Sequence, residues 1–179
     1  INNLFNLLYY MDEKTDKERF SELYQEMYKI CNKNNWGDPF SYARGKEIYM
    51  ANKLGHFISS KFAGADAYED KEMKVPVEYK STIQKNISAT YNGISLQDTW
   101  EEQDKYLKEE KICKYKNHYF ARFENGKIIE MYKMTGEKVY EYLMPRLKKL
   151  YEKEKKRKDP RLGTNISKKY IVNNSIKLV

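Results

Sequence analysis

Asn125-Gly126 stands between two apolar-rich runs, residues 118–124 and 127–134. A two-residue type I′ turn needs positive φ at both central positions, which this dipeptide accepts, so the run predicts an antiparallel hairpin. A chain with such a hairpin contains a sheet, and the flanking segments decide what covers it. Phe20, Leu23, Tyr24, Met27, Ile30 and Cys31 recur at spacings of three and four, the pattern of an amphipathic helix over about 16–33. A breaker segment, 32–39, follows. Ser41 is placed to cap a second helix whose apolar face runs through Ile48, Ala51, Leu54, Phe57 and Ile58, with Gly64 as its exit. The period then falls to two: Val75, Val77 and Tyr79 alternate with Lys74, Glu78 and Lys80, which predicts a strand. Residues 100–113 and 136–157 read as helices, Pro145 starting a second segment or kinking the first. Asp159-Pro160-Arg161-Leu162-Gly163 reads as a loop, and 166–179 as a short final strand or helix. This order predicts an α/β fold of the mixed α+β kind, a central mixed β-sheet flanked by helices.

The 179 residues suit a single domain with a buried core. Its parts are an N-terminal helical region (1–40), a mixed centre (41–135) and a C-terminal helix and tail (136–179). A 40% hydrophobic and 15% aromatic composition excludes compositional disorder. No apolar run approaches the roughly 18 residues of a membrane span, so no membrane association is expected. Ile1-Asn2-Asn3-Leu4 carries no signal-peptide pattern. Cys31 and Cys113 give no disulfide framework, and His56 and His118 beside them make a structural zinc improbable; a reducing cytoplasm fits such a chain. The formal charge is +8, with 22 residues of each sign in 1–140 against 12 basic and 4 acidic in 141–179. A field confined to one end has a polyanion as its natural partner. A solvated basic helix with a loose tail is the other reading of the same charges.

Chemistry concentrates in Gly64-Ala65-Asp66, eleven residues, then Glu78-Tyr79-Lys80. On a strand, Glu78 and Lys80 share one face while Val77 and Tyr79 share the other. An Asp arriving from a neighbouring strand or turn would stand beside Glu78. Two carboxylates with water and phosphate oxygens suit Mg²⁺, and an adjacent Lys stabilises negative charge on a hydroxide or phosphate. An acid-x-Lys triplet alone says little, since the chain contains six. Glu78–Lys80 alone lies on an alternating strand with a Gly-x-Asp upstream. Glu72-x-Lys74 is its rival, and a solvent-facing ion pair on an edge strand is the plain alternative. The chain shows no glycine-rich phosphate loop and no serine elbow, and Cys113 has no His or Asn pattern around it. Trp36 and Trp100 are expected to pack rather than stack on bases, and His118 to be packed at the start of its strand.

At these residues the chain resembles the PD-(D/E)xK nuclease superfamily, and within it the type II restriction endonucleases. The matching run is Gly64-Ala65-Asp66 with Val77-Glu78-Tyr79-Lys80-Ser81-Thr82; Ala65 stands where the family often has Pro. Gly45-Lys46-Glu47-Ile48 through Leu54-Gly55 resembles the family's helix bearing a Glu. The similar stretch spans about 41–135. The resemblance implies a restriction-endonuclease-like core with the metal site at one end of the sheet. It implies that Asp66 and Glu78, with the Tyr79 carbonyl, bind Mg²⁺. Lys80 would position or activate the attacking water. Glu47 would hold a second metal or orient a water. It further implies hydrolysis of duplex DNA at a short specific sequence, leaving 5′-phosphate ends, a homodimer that reads a palindromic site, and a cognate DNA methyltransferase.

Ser81, Thr82, Gln84 and Lys85 follow the catalytic strand where DNA would pass, and Asn92-Gly93 is a candidate tight turn touching the groove. Lys148, Lys149, Lys155, Lys156, Arg157 and Arg161 are candidate phosphate neutralisers. The dimer contact is expected from the Tyr-rich N-terminal helices or from 100–113. A non-catalytic nucleic-acid binder, a repair, resolvase or homing-type nuclease, and an RNA substrate stay open on these residues.

Overall fold

A computed structural model describes residues 14–61 and 64–179. Expectations that fall on 1–13, including part of the Tyr-rich N-terminal region, lie outside the described residues. Helix α1 (Asp16–Lys33) starts where Thr15 and Glu18 form a reciprocal capping box. Its apolar stripe is not buried: Phe20 is 69% and Leu23 58% exposed, and Cys31 alone is buried. Helix α2 (Arg44–Leu54) begins at Ala43 without a side-chain cap. Ser41 is not its cap, because its hydroxyl donates to Asp38 Oδ2 at 2.6 Å. The helix ends at Leu54, so Phe57 and Ile58 do not extend its apolar face but form strand β1 (Phe57–Ile58).

Strands β2 (Ala67–Tyr68), β3 (Pro76–Thr82), β5 (Asn117–Glu124), β6 (Lys127–Thr135) and β8 (Ile176–Lys177) complete a six-stranded sheet in the order β1-β2-β3-β5-β6-β8. Among the described residues, only the β3–β5 pair is parallel. The sheet is therefore mixed and mostly antiparallel. The expected β5–β6 hairpin is present, with Asn125 at φ 49° and Gly126 at φ 75°, the left-handed pair its turn demands. Central β5 is buried on both faces, so its core-facing run is nearly continuous.

The two faces carry separate apolar layers. Val77, Tyr79, Tyr119 and Ala121 meet Met50 and Ala51 of α2 on one side. Phe120, Tyr132 and Met134 meet Val139, Leu143 and Leu147 of helix α4 (Gly136–Glu154) on the other. Helix α4 runs through Pro145 as one segment. Helix α3 (Trp100–Tyr106) passes into a π-helical turn (Leu107–Lys111), closed by the Ile112 N–H donating to the Leu107 carbonyl at 2.8 Å. Trp100 packs edge-on against Tyr151, as expected of a structural tryptophan.

The segment read as a loop over 159–163 is one only through Pro160; Arg161 to Gly163 open strand β7 (Arg161–Ile166), which pairs antiparallel with β4 (Ala89–Ser95) in a separate two-stranded ribbon. Asn92-Gly93 is a bulge within β4 rather than a turn. The ambiguous end of the chain holds both expected elements, helix α5 (Lys168–Asn174) and β8. Among the described residues, no helix is long and apolar enough to cross a membrane.

Gly136 is where α4 touches the loop below it. A Cβ there would lie 2.4 Å from the Tyr115 carbonyl oxygen and 3.1 Å from that of Ile112. Backbone cannot yield as a side-chain tip would. Gly136→Ala is therefore expected to destabilise the protein by about 1–3 kcal/mol, a drop of several degrees in Tm. A melt within one degree of the parent would show that the loop moves freely.

Candidate active site

The register of β2 and β3 decides how the two carboxylates meet. Ala67 pairs with Val77 and Tyr68 with Pro76. Asp66 stands immediately before β2, where this register ends. Its N–H donates to the carbonyl of Val77, the partner of Ala67, at 3.2 Å, so Asp66 is still held against β3 although the regular register has ended. The Tyr79 N–H donates to Asp66 Oδ2 at 2.7 Å and fixes the carboxylate. Glu78 and Lys80 form an ion pair on the same face of β3. Asp66, Glu78 and Lys80 together line a polar cavity of about 230 Å³, closed by Tyr91, Asn92 and Ile94 of β4 and by Lys111, Ile112 and Tyr115. The sequence-predicted triad thus meets in one cleft. Glu72 lies exposed in the turn before β3, so the rival pair Glu72-x-Lys74 is set aside.

Electrostatics follow from this crowding. Burial, then the negative charges of Glu78 and Glu47, push the Asp66 carboxyl up to about 8. Burial also raises Glu47, against the pull of Arg44. Burial disfavours the Lys80 ammonium, but Glu78, Asp66 and Glu47 together outweigh it and hold its pKa above the usual range. Glu47, from α2, therefore belongs to the same electrostatic cluster. Its carboxylate is 3.2 Å from Arg44 Nη1, and Arg44 Nη2 donates to the Lys61 carbonyl at 3.2 Å. Arg44 is buried and ties α2 to the segment that leads to Asp66.

A second buried chain of hydrogen bonds supports the cleft. The Lys80 ammonium stands 5.1 Å from the centre of the Tyr91 ring. Tyr91 Oη and His118 Nδ1 are 2.8 Å apart, and His118 Nε2 is 3.0 Å from the Ile112 carbonyl. That carbonyl can only accept, so Nε2 carries the proton and Nδ1 accepts from the tyrosine. Burial pushes His118 down to about 3, so it is a neutral, packed imidazole, as expected of it. On the opposite face of the sheet, Glu69 accepts from Tyr119 at 2.7 Å and Asn117 at 2.7 Å and pairs with Lys133 at 3.2 Å. That set is saturated with partners and faces away from the cleft.

The expected nucleic-acid contacts are spread more widely. Ser81 and Thr82 are half-buried at the end of β3. Gln84 and Lys85 line a separate groove of about 800 Å³ with Ser88 and Lys168. Asn92 is the one member of this group in the cleft itself. Lys148 lies over the Trp100 ring, Lys155 donates to the Asp98 carbonyl, and Arg157 pairs with Glu154. Lys149 and Lys156 are exposed. Arg161 opposes Ser95 across the ribbon, one position beyond cleft-lining Ile94. Arg44, Lys111 and Tyr115 were not anticipated, and Tyr91 reads in the sequence only as part of a polar stretch after β3. Their roles come from long-range contacts that no local pattern announces.

The donors present suit a hard divalent cation: the Asp66 and Glu78 carboxylates line one cleft, and Tyr79, whose N–H bonds Asp66, offers its carbonyl beside them. A divalent cation would offset the burial and the repulsion from Glu78 and Glu47 that raise the Asp66 carboxyl. Among the described residues, no group of three or more His, Cys, Asp or Glu is placed to hold a metal. Water or substrate oxygens would complete the shell. No protein-family model matches the chain, and no curated protein matches it.

Proposed function

We propose that this chain is a Mg²⁺-dependent type II restriction endonuclease with a restriction-endonuclease-like core, cutting duplex DNA at a short specific sequence. The observation that carries the reading is the meeting of Asp66, Glu78 and Lys80 in one polar cleft, with Asp66 fixed by the Tyr79 N–H and Lys80 paired to Glu78. Asp66 and Glu78, with the Tyr79 carbonyl, would hold the ion, and Glu47 adds negative field and orients a water. Bound there, Mg²⁺ supplies Lewis-acid activation of a phosphodiester and lowers the pKa of water. Lys80 places a positive charge beside the attacking oxygen. The Tyr91 ring and the neutral His118 below it keep that ammonium in place. The 3′-oxygen leaves, and the phosphate stays on the 5′ end.

A homodimer and a cognate DNA methyltransferase belong to the same proposal. Phe20, Leu23, Met27 and Ile30 form the exposed apolar stripe on α1 that suits a self-complementary contact. Met27→Glu is expected to convert the dimer to a monomer in light scattering; an unchanged mass would move the contact elsewhere.

Product ends test the reaction. Plasmid fragments made in Mg²⁺ are expected to religate without prior kinase treatment, as 5′-phosphate, 3′-hydroxyl ends do. Intact DNA from several unmodified genomes, with binding retained, would favour the non-catalytic binder instead.

A further inference from the structure

The β4–β7 ribbon has one face sealed and one face chemically unusual for this chain. Ala89, Tyr91, Ile94, Leu162 and Ile166 are buried in the core. The outer face presents Thr90 opposite Asn165, Ser95 opposite Arg161, and Asn92 in the bulge between them. All five are exposed. In a chain with 34% charged residues, an ordinary solvated face would mix acids and lysines. Here the two strands present neutral hydrogen-bonding groups with one arginine, Arg161, which Asp159 just before β7 meets at 3.4 Å.

Two further observations point outward. The bulge re-aims Asn92, and Gly163 makes room for it: a Cβ at Gly163 would lie 3.2 Å from Asn92 Cα and 3.3 Å from Asn92 Cβ. Cations also flank the neutral strip. Lys85, Lys168 and Lys169 line the groove at the end of the ribbon where Ala89 meets Ile166. Lys155, Lys156 and Lys158 precede Arg161 at the other end.

The dimensions fit duplex DNA. Two antiparallel strands are about 4.8 Å apart, and with their side chains they enter a major groove about 12 Å wide. Seven residues of β4 span roughly 20 Å, about six base pairs. The strip adjoins the cleft through Asn92.

We infer that the outer face of the β4–β7 ribbon docks in the major groove of B-form DNA beside the cleft, where Thr90, Asn92 and Asn165 read base edges and Arg161 and Lys168 take flanking phosphates. Asn offers the paired donor and acceptor that an adenine edge matches, and Thr a hydroxyl and a methyl. The inference deepens the nuclease reading and rests on it for the DNA substrate.

Selection from a random duplex pool tests it, using full-length Glu78→Ala protein and, in parallel, the parent in EDTA. Both are expected to enrich one short site. Asn92→Ala, and separately Thr90→Ala with Asn165→Ala, should each relax one or two positions of that site by about tenfold or more. Their binding to random duplex should stay within a few-fold. Lys168→Ala should instead weaken all sequences alike and flatten the salt dependence by about one unit of slope. Unchanged preferences in the ribbon variants would overturn the inference. So would failure of the parent to enrich a site, or equal binding of A-form RNA duplex, whose major groove is too narrow to read. A ribbon-dependent site without Mg²⁺-dependent cleavage would keep the ribbon and refute the nuclease. Cleavage without ribbon dependence would do the reverse.

Discussion

Asp66→Asn is expected to make the metal-free protein more stable while ending its catalysis. The folded-state pKa of Asp66 is near 8, above the value near 3.9 for an unfolded Asp. The native state therefore holds a proton that the unfolded state gives up first. Below about pH 4 both states are protonated and the group costs nothing. Between about pH 4 and 8 stability falls as pH rises, and above that the full penalty is in place. Asparagine removes this titration and still offers an oxygen to the Tyr79 N–H. At pH 8 the variant should be more stable by on the order of 1–3 kcal/mol, a few degrees in Tm, with the difference closing toward pH 4. Mg²⁺ should stabilise the parent, by about 2.7 kcal/mol at a hundredfold excess over Kd, and leave the variant unmoved. Thermal melts across pH, with and without Mg²⁺, check all three. A variant less stable than the parent at pH 8 would mean that Asp66 is held ionised by groups other than a metal.

Arg44→Met is expected to be the most damaging single change for stability. Arg44 is about 1% exposed and bridges Glu47 of its own helix to the Lys61 carbonyl. Methionine keeps much of the volume but removes the charge that offsets Glu47. Removing one partner of a buried ion pair typically costs about 3–5 kcal/mol, because the other charge stays behind. That corresponds to a Tm lower by roughly 10 °C for a chain of this size. Glu47→Gln in the same protein should recover a good part of the loss, which a general packing defect would not allow. A loss below about 1 kcal/mol would show that Glu47 is solvated or otherwise paired. The bond to Lys61 also fixes the entry to Asp66, so the variant should bind Mg²⁺ more weakly even where it is folded.

Local periodicity made much of this fold legible. The alternation through Val77 and Tyr79 identified β3 and the shared face of Glu78 and Lys80. Asn125-Gly126 identified the β5–β6 hairpin and its turn. The apolar spacing found α1 but not its exposure, since periodicity reports that a face exists and not what covers it. The β4–β7 ribbon was missed for a definite reason. Asn92-Gly93 and Asp159-Pro160 carry turn chemistry, and the pairing of strands some seventy residues apart leaves no local trace. Strands β1 and β2 have two residues each, too short for any pattern. At the cleft, Glu78 and Lys80 were legible from the alternation of their strand, and Asp66 from the Gly-x-Asp upstream together with the family resemblance. Tyr91, His118 and Arg44 reach it only through tertiary contacts, and a buried arginine at a helix start looks like any exposed one in sequence.

Cleavage of long duplex DNA in Mg²⁺, beside EDTA and beside Glu78→Ala protein, separates chemistry in this cleft from chemistry elsewhere on the chain. Discrete fragments are expected from the parent, with at least about a thousandfold loss in both controls, since two carboxylates and one ion act as a unit. Fragments that persist undiminished with Glu78→Ala would place the chemistry outside the cleft built by Asp66, Glu78 and Lys80.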